Sequence, residues 1–241
     1  MKIDYTYHYR KWGRDTPEQR AAITKMYADV YGEHFAANKN ALVLDVGCGS
    51  GSLLDALRTF GYQNSSGIDV DPGQVDACRK KGLNVTLVED SRAYLESHPE
   101  CFDQIFTFDV IEHIPHDQQL DFVAALVTAL RPGGTFMCTV PNANSFVGMR
   151  YRYIDWTHHE SFTEHSLDFL LYSGGFRDIR ILPAEKPPRP ESWLKVRAVL
   201  FYWAWKLARR WQRFNYMVEL GPQQGRAVPL SANLLGLATR P

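Results

Sequence analysis

An apolar strand that runs into three closely spaced glycines and out into an amphipathic helix restricts this chain more than any other feature. Residues 44–54 read LDVGCGSGSLL, with Asp45 on the strand and Gly47, Gly49 and Gly51 in the turn. Glycines at that spacing let backbone approach a partner that side chains would hold off. The pattern then repeats in outline. ALVLDV (41–46), SSGIDV (65–70), NVTLVE (84–89), FDQIFTFDV (102–110) and GGTFMCTV (133–140) are strand-like runs, each separated from the next by a helical pattern. Five strands alternating with helices predict an α/β, doubly wound, Rossmann-like parallel sheet. FRDIRIL (176–182) and NLLGLATR (233–240) predict a sixth and a seventh strand.

Local signals mark the helices. Thr16-Pro17-Glu18-Gln19 supplies an N-cap, a first-turn proline and a Gln three residues after the cap, opening a helix to about residue 37. Asp71-Pro72 starts another, Thr163 caps a helix to Ser173, and Gly174-Gly175 stops it. ESWLKVRAVLFYWAWKLARRWQRFN (191–215) predicts a long helix. Its Lys195, Lys206, Arg209, Arg210 and Arg213 fall within about 100° of arc, and Trp193, Leu200, Trp203, Trp211 and Phe214 load the rest. The chain is therefore divided as one domain over 1–241: a capping helix in 1–39, a core in 40–183, an excursion with the basic helix in 184–232 and a last strand in 233–241.

A formal net charge of zero conceals an asymmetry. Residues 1–185 hold 17 Lys/Arg against 25 Asp/Glu, and residues 186–241 hold 10 against 2. An acidic main body is unsuited to tracking a nucleic-acid backbone, whereas the basic end suits an anionic surface. Cys48, Cys78, Cys101 and Cys138 are widely spaced and lack C-x-x-C, so neither a disulfide framework nor a zinc ribbon is indicated. No signal-peptide pattern and no bilayer-length apolar run is present, and the expectation is a cytoplasmic protein.

The glycine loop fails two phosphate motifs. Both the P-loop and the dinucleotide fingerprint would need glycine where Ser52 stands, and no lysine follows. Acids instead occupy the tips of the first four strands: Asp45, Asp69, the Glu89-Asp90-Ser91 turn and Asp109. An acid about twenty residues beyond the loop suits ribose hydroxyls. The set describes a nucleoside that carries an amino acid and a positive charge. LDVGCGSGSLL, GIDVDP, VED, FDVIEHIP and LRPGGTFMCTVPN, in this order, resemble the class I S-adenosylmethionine-dependent methyltransferases over roughly 40–183. The resemblance implies S-adenosylmethionine as cofactor. It implies that Gly47, Cys48, Gly49 and Gly51 lie against the methionine part, Asp69-Val70 at ribose, Asp90-Ser91 at adenine and Asp109-Val110 beside the sulfonium. The first helix and Tyr7–Tyr9 would cover the site.

Methylation of a hydroxyl needs a base, and histidine titrates in the useful range. DWTHHESFTEHSL (155–167) resembles a D-x-T-H-x-x-x-F-T segment of a saccharide-tailoring subgroup, matching at Asp155, Thr157, His158, Phe162 and Thr163. His158 is the first choice of base, oriented by Asp155 or Glu160, and His113 is the second. A capping or packing role for either histidine stays open. His158, His159, Glu160 and His165 lack the H-E-x-x-H spacing, so no metal is assigned.

The leading acceptor is a sugar hydroxyl on a bacterial surface glycan or its precursor, followed by a quinone or other lipid-like phenol. A nicotinamide oxidoreductase and a non-catalytic scaffold are the alternatives from other classes. The basic helix suits a membrane interface, a lid or a homodimer contact, and the sequence leaves these three open.

Overall fold

The computed structural model describes Tyr7, Lys11 and residues 17–185 and 195–241. The expected cap at Thr16, His8-Tyr9 and residues 191–194 lie outside the described residues. Seven strands form one sheet: β1 (Val43–Val46), β2 (Ser65–Asp69), β3 (Val85–Leu87), β4 (Phe102–Phe108), β5 (Leu130–Pro141), β6 (Arg177–Pro183) and β7 (Asn233–Thr239). Their order is β3-β2-β1-β4-β5-β7-β6. The first five pair with one another in parallel, while β7 runs antiparallel to both β5 and β6. Strand order therefore reverses between β1 and β4, which opens a crevice beyond their C-terminal ends.

Both faces of the sheet are covered, as a parallel sheet requires. Along β1, Val43 joins a core with Leu54, Leu57, Phe106 and Met137 on one side. Leu44 and Val46 join Phe122, Leu126, Phe136 and Phe176 on the other. The period-two alternation of a strand distributes these residues to the two layers.

The helices are α1 (Pro17–Met26), α2 (Ser52–Thr59), α3 (Pro72–Lys80), α4 (Ser91–Glu96), α5 (His116–Ala129), α6 (Gly148–Ile154), α7 (Glu164–Ser173), α8 (Val196–Leu220) and α9 (Pro222–Ala227). Asp71 caps α3 by accepting from the backbone N–H groups of Gly73 and Gln74. Thr163 caps α7 in a reciprocal box with Ser166.

Five elements depart from the sequence reading. The first helix does not run unbroken to residue 37, because a π-turn (Tyr27–Tyr31) and a 3-10 turn (Gly32–His34) follow α1. The wider turn sets Tyr27 and Tyr31 together against Phe108, with ring centroids 5.1–5.8 Å apart. Strand β5 starts at Leu130 and takes in Pro141, which pairs with Asn233. Helix α8 extends to Leu220, carried by Met217, Val218 and Leu220, and stops where Gly221 turns left-handed (φ 84°) ahead of Pro222. Helices α6 and α9, six or seven residues each, carry too few turns for a periodic signal.

Gly236 lies on β7 opposite Cys138, and a Cβ there would come within 2.6 Å of the Cys138 sulfur. Gly236→Ala is expected to cost about 1–3 kcal/mol of stability by overpacking. A urea titration followed by circular dichroism measures this.

Candidate active site

The loop after β1 is shaped by one carboxylate. Asp69, at the tip of β2, accepts from the Gly49 N–H at 2.8 Å and from the Asp71 N–H at 2.8 Å. Gly47 holds φ 71°, and a Cβ on it would come 2.6 Å from Val110 Cγ2. That close approach explains why the first position of the motif is glycine. Gly51 serves packing, because its Cβ would strike Leu83 and the Cys78 sulfur.

Above the loop is a cavity of about 450 Å³. Asp45, Gly47, Cys48 and Gly49 form its floor, Phe108 and Asp109 one side, and Ala22, Met26 and Tyr27 of α1 and the turn after it a cover. The described part of the first helix thus lines this cavity. Of the sequence-predicted cofactor residues, these loop positions and Asp109 line the cavity. Gly51 and Asp69 support the loop from beneath, and Val110 stands behind Gly47. Val70, Asp90 and Ser91 lie at the tips of β2 and β3, outside the cavity lining. Asp90 caps α4 through Oδ1, which accepts from the Arg92 and Ala93 N–H groups, and neither bond uses Oδ2.

Electrostatics give the cavity its character. Asp45 is buried, and burial lifts its carboxyl well above the usual carboxylate range, with the Asp69 charge adding to the lift. Burial also raises Asp69, against the lowering effect of the bonds from Asp71 and Gly49. Two carboxyl groups so placed favour a cation and repel a pyrophosphate. Asp109 adds a third acid on a left-handed backbone (φ 56°). Its N–H and its Oδ1 both bond the Thr139 hydroxyl, at 3.2 and 2.9 Å.

One 3-10 turn beyond Asp109, Glu112 and His113 meet His158. The two imidazoles stand edge to face with centroids 4.5 Å apart. His158 Nδ1 lies 2.8 Å from the Tyr151 carbonyl oxygen, which can only accept, so the ring carries its proton there and Nε2 holds the lone pair. The Thr157 hydroxyl donates to Asp155 Oδ1 at 2.7 Å, and His113 Nδ1 lies 2.7 Å from the same hydroxyl oxygen. Burial and the neighbouring His158 push His113 down to about 4. Burial pushes Asp155 up, but its bonds from Thr157 and the nearby histidines outweigh that and hold it low.

The geometry corrects part of the sequence reading. The Asp155 carboxylate reaches His113 through Thr157 and is not bonded to the His158 ring, although the His158 N–H donates to the Asp155 carbonyl oxygen at 3.3 Å. Glu160 is engaged by His116 at 3.0 Å and Gln119 at 2.6 Å, so it orients neither candidate base. His165 is exposed beside Glu164. The group missed from sequence is Glu112. It is fully buried, neither carboxylate oxygen has a hydrogen-bond partner, and burial followed by the Asp109 charge raises it well above the usual range. One ligand-type atom from each of Glu112, His113 and His158 lies within 4.8 Å of the others. The signal available was the E-H pair itself, whose burial cannot be read from spacing.

Three comparisons bear on this site. The profile of a family described as "Methyltransferase domain" matches residues 19–181. The ubiquinone biosynthesis O-methyltransferase of Xanthomonas campestris pv. campestris (strain B100) is 30% identical over 139 residues, 55% of this chain and 56% of that protein. The match spans about half the length of such curated relatives. An S-adenosylmethionine-dependent methyltransferase from Archaeoglobus fulgidus superposes with TM-score 0.70 at 21% identity, covering 98% of this chain and 100% of that one. A phosphoethanolamine N-methyltransferase from Haemonchus contortus, solved with phosphomonomethylethanolamine and S-adenosylhomocysteine, gives 0.58 at 17% identity, covering 95% and 59%.

His113, neutral in the fold down to about pH 4, gains a proton on unfolding below about pH 6.5. Stability from this group is therefore complete above pH ~6.5 and is lost as pH falls toward 4, by up to about 3 kcal/mol. His113→Gln should flatten that acid limb when denaturant midpoints are measured across the window.

Proposed function

This chain belongs to the class I S-adenosylmethionine-dependent methyltransferases, and we propose that within that family it methylates the phenolic oxygen of a quinone-type, lipid-like acceptor. The observation that carries the cofactor assignment is Asp45, a buried carboxyl group on the cavity floor with Asp69 close behind it. A ligand bearing sulfonium and ammonium charges would relieve that arrangement, and a dinucleotide pyrophosphate would worsen it. The nicotinamide alternative and the scaffold alternative therefore fall away.

Bound S-adenosylmethionine supplies an electrophilic methyl group on a good leaving group. The protein's part is alignment, exclusion of water and proton removal. Asp45 and the Gly47–Gly49 backbone would hold the charged amino-acid end. Asp69, at the tip of β2, would offer the ribose hydroxyls the lone pairs that its bonds to backbone leave over. Asp90 Oδ2 is available to an adenine amino group. His158 Nε2 accepts the phenolic proton, while the Tyr151 carbonyl fixes the ring and its tautomer. His113, packed edge to face on that ring and tethered through Thr157 to Asp155, is the positioning residue.

Two observations favour a phenol over a sugar. The polar groups of the D-x-T-H segment are spent on one another, which leaves few donors for a polyhydroxyl ligand. Phe146, Met149, Tyr153 and Trp156 beside that segment are exposed apolar groups, Trp156 at 87%. The curated relatives named for ubiquinone biosynthesis agree with this choice.

Asp45→Asn separates this reading from its rivals because it moves two measurements in opposite directions. Removing a buried, strained carboxylate should raise the melting temperature of the ligand-free protein at neutral pH, by about 2–4 °C per kcal/mol regained. The same change should weaken S-adenosylhomocysteine in calorimetry by about tenfold or more. Unchanged affinity, or tight NAD binding by the parent protein, refutes the assignment. His158→Ala should keep cofactor affinity and lose about two to four orders of magnitude in kcat on a catechol-type acceptor. Full activity would remove His158 from the mechanism. Faster turnover of a sugar than of a catechol would restore the glycan reading.

A further inference from the structure

Helix α8 turns one side to the protein and the opposite side to solvent. Gln212, 1% exposed, donates to the Asn144 carbonyl oxygen at 2.9 Å, and the Tyr216 hydroxyl donates to the same oxygen at 2.8 Å. Arg213 donates to the carbonyl oxygens of Gly225 and Val228. Two cations of the basic face read from sequence, Arg209 and Arg213, are thus half-buried toward the body. The outward side is apolar. Val196, Leu200, Trp203, Leu207, Trp211 and Phe214 are each more than half exposed. At 100° per residue they fall within about 80° of arc, centred opposite Gln212 and Tyr216. Arg210 and Lys206 border the stripe on one edge and Arg197 on the other.

We infer that this face of α8 docks the protein on the surface of an anionic lipid bilayer, with the helix lying in the interface plane. An apolar stripe rich in Trp, Phe and Leu and bordered by basic residues is the physical requirement for that mode of binding. No helix among the described residues is long and apolar enough to cross a membrane, so α8 lies on the surface. Charge decides between a bilayer and a second copy of the chain. Residues 195–220 carry six Lys/Arg and only Glu219 as an acid. A second α8 laid on the stripe would set the bordering Arg197, Lys206 and Arg210 against the same three cations, whereas an anionic surface attracts them at about 1 kcal/mol each near the headgroups. The inference holds whatever the acceptor.

The test is cosedimentation of the full chain with phosphatidylcholine vesicles and with vesicles containing about 30 mol% phosphatidylglycerol, with tryptophan emission recorded alongside. Partition to the anionic vesicles, a blue shift, and weakening at about 0.5 M salt are expected. Leu207→Glu and Arg210→Glu should each lower the partition by about tenfold or more. Both side chains are exposed, so S-adenosylhomocysteine affinity and melting temperature should match the parent protein and report that the fold is intact. Equal partition of the parent and both variants, or none of the parent onto anionic vesicles, overturns the inference. So does a solution dimer that Leu207→Glu dissociates, because the stripe would then be occupied by a second copy.

Discussion

The Asp69 carboxylate is the point on which the cofactor end of the molecule depends. One oxygen takes the N–H of Gly49 from the loop after β1, and the other takes the N–H of Asp71 at the start of α3. A single buried side chain therefore joins two strand tips, a glycine turn and a helix start. Ligand recognition is built on this bracket and does not create it. The cost is a carboxylate kept out of water beside Asp45, and a cation in the cavity is the natural counterweight. Cys48 and Cys78 complete the bracket, both with their sulfur atoms on the Gly49 carbonyl oxygen, at 4.0 and 3.2 Å.

Charge is distributed along the chain with the same logic. Acids gather where strands β1, β2 and β4 end, and the basic residues gather on the excursion between β6 and β7. Because β7 is antiparallel to both β5 and β6, that excursion leaves the sheet at the same end as the acids, and Asn233 at its return donates to Asp109 at 3.3 Å. A net charge of zero is in this case the sum of an acidic main body and a basic excursion.

Much of this was legible in the residues because it rests on local rules. Alternating strands and helices, the Asp71 and Thr163 caps and the presence of a strand at NLLGLATR all follow from period, capping chemistry and order along the chain. The loop residues of the cavity were legible for the same reason. What escaped depends on distance through space. Asp155 and His158 are three residues apart, yet Thr157 passes Asp155 to His113 across 44 residues of sequence. Glu160 looked like a partner for His158 and is taken by His116 and Gln119 on α5. The buried state of Glu112 follows from packing under the 3-10 turn, which no spacing encodes. The α8 face was misjudged in a related way. A helical wheel ranks the cations by angle, but only Gln212 and Tyr216, bonded to Asn144, reveal which angle points inward.

Those two bonds end on a segment with a second duty. Asn142, fully buried, donates to the Pro229 and Ser231 carbonyl oxygens and accepts from the Asn144 N–H. Asn144 binds Glu164 at the start of α7, and α6 begins four residues later. Helix α6 then holds the histidine segment, through the Tyr151 carbonyl on the His158 ring and the Arg152 guanidinium on the His158 carbonyl oxygen. The short run after β5 thus carries α8 on one side and positions the candidate base on the other. Helix α8 has no comparable tie to the sheet among the bonds described. The Asn144 carbonyl oxygen therefore takes part both in seating α8 and in the run that leads into the histidine segment.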